Sequence, residues 1–453
     1  MKLYFYGGAG AVTGANYLVE CAGTKILIDC GLQQGSRFVE KQNYEPFPYD
    51  PKEIKAIILT HAHADHVGRV PKLYRDGFRG DIYGTHPTLD LARLNLDDSL
   101  HILEDEAQRY KEQPIFSEED IIGCWKNTHG RPYHEEIQIT PNIKFRLNDA
   151  GHILGSSIIE VFLSEGDKKV KIVFSGDLGN PPTPLLKPTE FIKDADYVLV
   201  ESAYGDRLHE DRALRKGKLE AVIESVIKNG GVLMIPSFAL ERTQELLFEL
   251  NNLVESGKIP KVPMFMDSPL AIKATAIYQK YSDYFNTEAV YLIKSGDDLF
   301  NFPGLKFSLT TESSKEINNV PPPKIIIAGS GMSVGGRIVH HEKRYLSDPK
   351  STLLIIGYQT SGTLGRRLLD GANEVKIMGE EVIVRAQVKA IGGYSAHADQ
   401  ATLLDWVKHT SGVKRVFVVQ GESGPASALA QKIKDHLNFS AEVPEAGEAY
   451  ELI

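Results

Sequence analysis

Within the stretch LTHAHADHVGR, residues 59–69, four side chains able to hold a metal fall in six positions: His61, His63, Asp65 and His66. They follow directly on the apolar run AIIL, which reads as a strand, so they stand at a strand exit. His61 and His63 lie two apart in extended chain and can point to one side. Asp65 and His66 come where the chain must turn into a helix. Imidazole nitrogen suits zinc, and a carboxylate adds the negative charge that helps hold a second cation. An isolated histidine such as His436 reads as an ordinary surface or core imidazole. Four such groups behind an apolar strand would be costly to bury without a metal, and the stretch predicts a metal site.

The elements that must position these groups read as short strands first: KLYFYG, NYLVEC and TKILIDCG carry β-branched and aromatic residues punctuated by glycine. A helix is expected over 67–76. A longer one over 87–110 keeps Leu91, Leu94, Leu96, Leu100 and Leu103 at approximately helical spacing. Strands resume in KFRLNDAG, SIIEVFL, KKVKIVFSGD and YVLVES. After Glu201 the texture changes to helix–strand alternation. ALRKGKLEAVIESVIKNGG and ERTQELLFELNNLVESG read as helices, and GVLMIPS, KVPMFMD, PPPKIIIAGSGM and STLLIIGYQ as buried strands of a parallel sheet. The last part, the run EVIVRAQVKAIGGYSAHAD, a helix over ATLLDWVKHT and the strand KRVFVVQG, again has polar residues at strand exits. Periodicity alone does not say that the two ends of the chain share a domain.

With 453 residues the chain exceeds the size at which one core keeps growing, so two domains are expected. Its 42% hydrophobic and 25% charged residues are those of an ordinary globular protein. A formal net charge of −9 argues against indiscriminate nucleic-acid binding and leaves room for a local basic groove. The three cysteines, Cys21, Cys30 and Cys124, have no paired spacing, which suits a reducing cytoplasm and speaks against disulfides and a thiolate zinc site. MKLYFYGGAGAVTG lacks the apolar core of a signal peptide, and no run approaches the roughly eighteen apolar residues of a membrane span. A soluble cytoplasmic protein without a membrane partner is expected.

HAHADH resembles the signature of the metallo-β-lactamase superfamily, and further motifs follow in that family's order. LIDCG places Asp29 where the family has an orienting carboxylate behind the metal ligands. DAGHILGS supplies His152 and VFSGDLG supplies Asp177, the residue that bridges two metals in the family. The resemblance implies one zinc on His61, His63, His152 and Asp177. A second would lie on Asp65, His66, Asp177 and a further group. Two such ions about 3.5–4 Å apart lower the pKa of a shared water towards ~7 and clamp the entering and leaving oxygens. Hydrolysis of a phosphodiester or of an acyl bond suits that centre equally.

VLVESAYGDRLH, with Glu201, and GGYSAHADQ, with His397, resemble motifs A and B of the β-CASP group, the nucleic-acid-processing branch of the superfamily. IPSFALERTQELL, MDSPLA, GSGMSVGGRIVHH and GYQTSGTLGRRLL resemble its internal landmarks, so the likeness covers nearly the whole chain. It implies an α/β fold: a metallo-β-lactamase αββα sandwich, residues 1–205 and 393–453, interrupted by an inserted α/β domain, 206–392, with a parallel sheet flanked by helices. It implies a metal-dependent ribonuclease acting on single-stranded RNA as an endonuclease or also from the 5′ end, and some members of the group suggest a homodimer. Asp65, Glu201 and His397 are the expected catalytic groups. His397, oriented by Glu201, would contact the scissile phosphate or protonate the leaving oxygen, unless the pair is a structural ion pair joining the two lobes. Ser330, Gly331 and Met332 lie in a glycine-rich turn that either cradles a phosphate or closes an ordinary tight turn. Arg242, Arg337, Arg366 and Arg367 either line an RNA groove or are solvated surface arginines.

One position departs from the group. Its C-terminal strand ends in a histidine followed by Gly-Glu, whereas VFVVQGESG has Gln420 there. A glutamine carbonyl is a weaker zinc ligand than imidazole. Gln420 then coordinates weakly, or water fills the position, or the second site is partly occupied. The departure keeps open a catalytically weak or inactive RNA-binding subunit of a processing complex. A thioesterase or lactonase on the same metal lobe is a third reading, against which the large inserted domain speaks.

Overall fold

Apolar side chains that alternate along a strand let one sheet bury both faces. In the strand Lys168–Phe174, Ile172 and Phe174 enter one buried cluster and Val173 enters another. The structure, a computed structural model, describes residues 1–360 and 362–453. It is α/β and divides into two compact units: Met1–Thr183, Lys187–Leu208 and His397–Ile453 form the first, Pro184–Leu186 and His209–Ala396 the second. Among the described residues no helix is long and apolar enough to cross a membrane.

Two seven-stranded sheets build the first unit. One runs in the order Ala449–Glu451, Lys2–Gly7, Asn16–Cys21, Thr24–Ile28, Ile54–Ile58, Asp81–Gly84, Thr128–Gly130. The other runs Ala441–Glu442, Arg415–Val419, Tyr197–Glu201, Lys168–Phe174, Ser157–Glu165, Ile143–Asp149, Ile137–Thr140. Between them Leu3, Phe5, Ile26 and Ile58 meet Phe145, Ile159, Ile172 and Phe417. Each such side chain removed from water contributes roughly 1.5–3 kcal/mol. On the far face of the second sheet, Ile158, Val173, Val198 and Val416 pack under the helices Gln400–Lys408 and Ser423–Leu437 through Leu403, Trp406, Leu429 and Ile433. The helix His86–Tyr110 lies against the strand Thr128–Gly130 and buries Leu96 and Leu100 with Leu32, Ile115 and Phe116.

The residues from 397 onward complete both sheets. Arg415–Val419 pairs in parallel with Tyr197–Glu201, and Ala449–Glu451 pairs antiparallel with Lys2–Gly7. Parallel pairing of Thr24–Ile28, Ile54–Ile58 and Asp81–Gly84, and of Lys168–Phe174, Tyr197–Glu201 and Arg415–Val419, brings strand exits together within each sheet.

One element differs from its sequence expectation. The helix expected over 67–76 is two short helices, Ala64–Val67 and Val70–Arg75, because Pro71 starts a new first turn after Gly68. The run EVIVRAQVKA is split: Glu380–Ile383 joins a two-stranded hairpin with Glu374–Ile377, and Gln387–Ala390 edges the main sheet of its unit.

That sheet, in the second unit, has six strands in parallel, ordered Leu305–Phe307, Met264–Asp267, Lys324–Ala328, Val232–Pro236, Thr352–Ile355, Gln387–Ala390. Glu342, in the helix Ile338–Tyr345, is fully buried. Its Oε1 accepts a hydrogen bond from Ser333 Oγ at 2.5 Å, and its Oε2 has no partner among the described residues. Burial pushes this carboxyl up to about 8, with only partial relief from Ser333. The protonated form therefore belongs to the folded state. Its stabilisation is complete below the ordinary carboxyl range and is lost as pH rises through about 8. Glu342→Gln, which keeps the shape and an acceptor for Ser333, is expected to unfold thermally with wild type near pH 4 and above it near pH 9. Equal midpoints at both pH values would contradict a buried neutral carboxyl.

Candidate metal centre

Each candidate ligand leaves a strand of the first unit. His61 and His63 follow Ile54–Ile58 in extended chain, and His63 is the residue from which the helix Ala64–Val67 starts. That helix carries Asp65 and His66. His152 follows Ile143–Asp149, Asp177 follows Lys168–Phe174, and Glu201 is the last residue of its strand. Gln420 follows Arg415–Val419, and His397 forms an isolated antiparallel bridge with Gly179.

One nitrogen from each of His61, His63 and His152 and one oxygen of Asp177 all lie within 4.8 Å of one another. His61 Nε2 is 3.0 Å from His63 Nδ1 and 3.3 Å from Asp177 Oδ2. His152 Nε2 is 3.4 Å from His63 Nδ1 and 3.5 Å from Asp177 Oδ2. Ligands about 2.0–2.1 Å from a tetrahedral zinc lie roughly 3.4 Å apart, so this donor set fits that ion. Burial and the nearby His61 charge hold His63 well below the ordinary imidazole range. Burial and His397 do the same for His152. Neutral imidazole is the form a metal needs.

A second set of groups meets the other oxygen of Asp177. His66 Nε2 is 3.4 Å from Asp177 Oδ1 and 3.9 Å from Asp65 Oδ2. Gln420 Nε2 donates to Asp177 Oδ1 at 3.1 Å and lies 2.7 Å from His66 Nε2. Burial opposes ionisation of Asp177, yet the charges of His66, His61 and His397 overcome it and hold its carboxyl well below the usual range. Burial raises Asp65, with His66 as the largest opposing influence.

Asp29 stands behind the candidate ligands. Its Oδ2 accepts from His66 Nδ1 at 2.7 Å and from Thr60 Oγ1 at 2.7 Å, and its Oδ1 accepts from Thr60 N–H at 2.8 Å. Thr60 Oγ1 also lies 3.1 Å from His61 Nδ1. With Nδ1 of His61 donating to that hydroxyl, and Nδ1 of His66 to Asp29, both rings turn Nε2 towards Asp177. Sequence reasoning missed Thr60, although its place inside LTHAHADH was a signal. It also missed Tyr17, whose hydroxyl is buried without a partner among the described residues. A Cβ on Gly8 would fall 2.5 Å from that hydroxyl and 3.2 Å from Gln420 Cγ, so the approach requires glycine there.

His397 Nδ1 lies 3.1 Å from Glu201 Oε2 and 3.9 Å from Asp177 Oδ2, and its ring centre is 4.6 Å from that of His152. Glu201 is fully buried, and its Oε1 accepts from Leu178 N–H at 2.7 Å. Burial pushes the His397 imidazolium down, but Glu201 and Asp177 outweigh it and raise the group to about 9. A divalent cation on Asp177 would oppose that shift.

The remaining candidates lie in the second unit. Ser330, Gly331 and Met332 occupy the turn between Lys324–Ala328 and Ile338–Tyr345. Arg242 is 4% exposed and ion-paired with Glu245. Arg337 donates to Asp267 Oδ1 and to the carbonyls of Ser308 and Leu309. Arg366 and Arg367 are exposed on the helix Leu364–Leu369.

Three family models match this chain: Metallo-beta-lactamase superfamily over residues 9–86, Beta-Casp domain over 243–368, and Zn-dependent metallo-hydrolase RNA specificity domain over 381–444. Ribonuclease TTHA0252 of Thermus thermophilus is 37% identical over 95% of this chain and 95% of its own length. An RNase J-like protein of Methanocaldococcus jannaschii is 33% identical over 98% of each. Transcription termination factor FttA of Methanosarcina mazei is 32% identical over 96% of this chain and 69% of its own length. A crystal structure of a protein of unknown function from Enterococcus faecalis has a TM-score of 0.56 at 12% identity, over 100% of this chain and 99% of that one, a likeness of fold.

Asp29→Asn removes the charge that orients His66 and keeps the shape. It is expected to weaken zinc binding about 10- to 100-fold in competition with a chromogenic chelator, with the apo protein still folded by circular dichroism. Unchanged zinc affinity would remove Asp29 from the support of the centre.

Proposed function

The chain belongs to the β-CASP group of the metallo-β-lactamase superfamily, and from that premise we propose that it is a zinc-dependent ribonuclease that cuts single-stranded RNA at internal phosphodiester bonds in the cytoplasm. The observation that carries this reading is the Glu201–His397 pair at the edge of a cluster of three imidazoles and a carboxylate. His61, His63, His152 and Asp177 would hold one zinc. Asp65, His66 and Asp177 would hold a second, with Gln420 as a weak further ligand. Bound zinc supplies Lewis acidity, which makes water nucleophilic near neutral pH and offsets charge on a phosphate.

The protein's own groups do the rest. Glu201 fixes the Nδ1 side of His397, so Nε2 is the nitrogen assigned to the phosphate. There the imidazolium stabilises developing charge and gives its proton to the leaving oxygen. Asp65, beside His66, adds negative charge on the side where the second cation would sit. Relatives named as ribonucleases support RNA as the substrate.

Gln420 favours one alternative, a catalytically weak RNA-binding subunit. Its amide nitrogen stands 2.7 Å from His66 Nε2, the nitrogen a second metal would need.

His397→Ala is expected to slow cleavage of an unstructured, end-labelled RNA by about 100-fold or more while zinc content stays the same. Robust cleavage by that variant would remove His397 from the mechanism. Products mapped at both ends, with and without chelator, separate internal cutting from trimming at the 5′ end and an enzyme from a binding subunit. Wild type purified without added zinc is expected to carry less than two zinc per chain by mass spectrometry, and Gln420→His to carry more. Full and equal occupancy in both would contradict a weak second site.

A further inference from the structure

Open parallel α/β sheets bind ligands beyond the carboxyl ends of their strands, at the point where adjacent strands send their connections in opposite directions. In the second unit that point lies between Val232–Pro236 and Lys324–Ala328. The chain leaving Pro236 returns as Met264–Asp267 on the far side of Lys324–Ala328, and the chain leaving Ala328 returns as Thr352–Ile355 on the far side of Val232–Pro236. The loop after Pro236 carries Phe238, which is 38% exposed. Its ring is seated on two glycines from two other loops. A Cβ on Gly331 would lie 2.6 Å from Phe238 Cδ2, and one on Gly357 would lie 3.0 Å from Phe238 Cε2. At both positions the lack of a side chain leaves the space that the ring occupies. Tyr358, the residue after Gly357, is 51% exposed. The same loop leads into the helix Leu364–Leu369 with its exposed arginines. There Arg366 is paired with Asp370 at 2.9 Å, and Arg367 makes no ion pair among the described residues.

A ring packed on two glycines and partly exposed can offer a face to a flat partner. Aromatic rings stack on unpaired bases of every kind, and guanidinium groups beside them meet the phosphates. We propose that the loops at this end of the sheet form a base-stacking subsite for single-stranded RNA, with Phe238 as its platform, Tyr358 as a second ring and Arg367 as a phosphate contact; the proposal rests on the ribonuclease reading above.

The test uses the full chain loaded with zinc. Binding of a phosphorothioate-linked, unstructured RNA is read by fluorescence anisotropy, and hydrolysis of bis(p-nitrophenyl) phosphate, which has no base, is read in parallel. Phe238→Leu keeps the apolar bulk and loses the aromatic face. It and Tyr358→Ala are each expected to weaken RNA binding about tenfold, the size that stacking of one base carries, with hydrolysis of the small diester unchanged. Phe238→Tyr, which keeps the face, is expected to bind as wild type does. RNA binding by Phe238→Leu and Tyr358→Ala equal to wild type would overturn the subsite and leave the ribonuclease reading standing. A wild type that neither binds nor cuts RNA would overturn both.

Discussion

Asp177 is a carboxylate buried among imidazoles, and the first unit is arranged around it. It is 4% exposed, and nitrogens of His61, His66 and His152 all stand within 3.5 Å of its two oxygens. A buried charge without partners would cost several kcal/mol, so these groups converge only where positive charge is present. Burial opposes charge on His66, and Asp177, Asp29 and Asp65 outweigh it and hold its imidazole well above the ordinary range. Cations supply positive charge when the centre is loaded. Because Asp177 offers one oxygen to His61 and His152 and the other to His66, it divides the cluster into two halves that share one charge.

Precision in such a cluster comes from the groups behind it. Thr60 and Asp29 set the tautomers of His61 and His66, and both sit at exits of adjacent parallel strands. The half of the cluster containing His61, His63 and His152 is complete in imidazoles. In the other half the strand Arg415–Val419 delivers a glutamine, held by its own N–H on the Gly8 carbonyl and by its amide on Asp177. An amide can accept a cation only by turning its oxygen inward, which gives up the bond to Asp177. For Gln420 to meet a cation it would exchange a hydrogen bond to the Asp177 carboxylate for a bond from a neutral amide oxygen.

The second unit is organised by a different constraint, the disposal of charge in a parallel sheet buried on both faces. Asp267, at a strand exit, is fully buried and accepts from His341, Arg337 and Ser314. Arg215 and Tyr394 converge on Glu249 in the same unit. Arginines that look alike in the sequence thus part company. Arg242 and Arg337 are tied to carboxylates inside the fold, and Arg366 and Arg367 stay on its surface.

The chemistry of HAHADH was legible in the sequence because ligands that leave a single strand exit are neighbours along the chain, and their spacing is a local property. Strand and helix periods were legible for the same reason, including the βα alternation of the inserted segment. Resemblance pointed to Asp29, His152, Asp177, Glu201 and His397, but nothing local in those five segments says that they meet. Only tertiary structure decided that, through pairing between strands more than two hundred residues apart, such as Tyr197–Glu201 with Arg415–Val419. It also decided that Thr60 stands between His61 and Asp29, that Tyr17 and Gln420 meet around Gly8, and that Arg242 is buried. Each of these depends on long-range packing and on which charges share a desolvated space, and neither quantity is written in the spacing of residues along the chain.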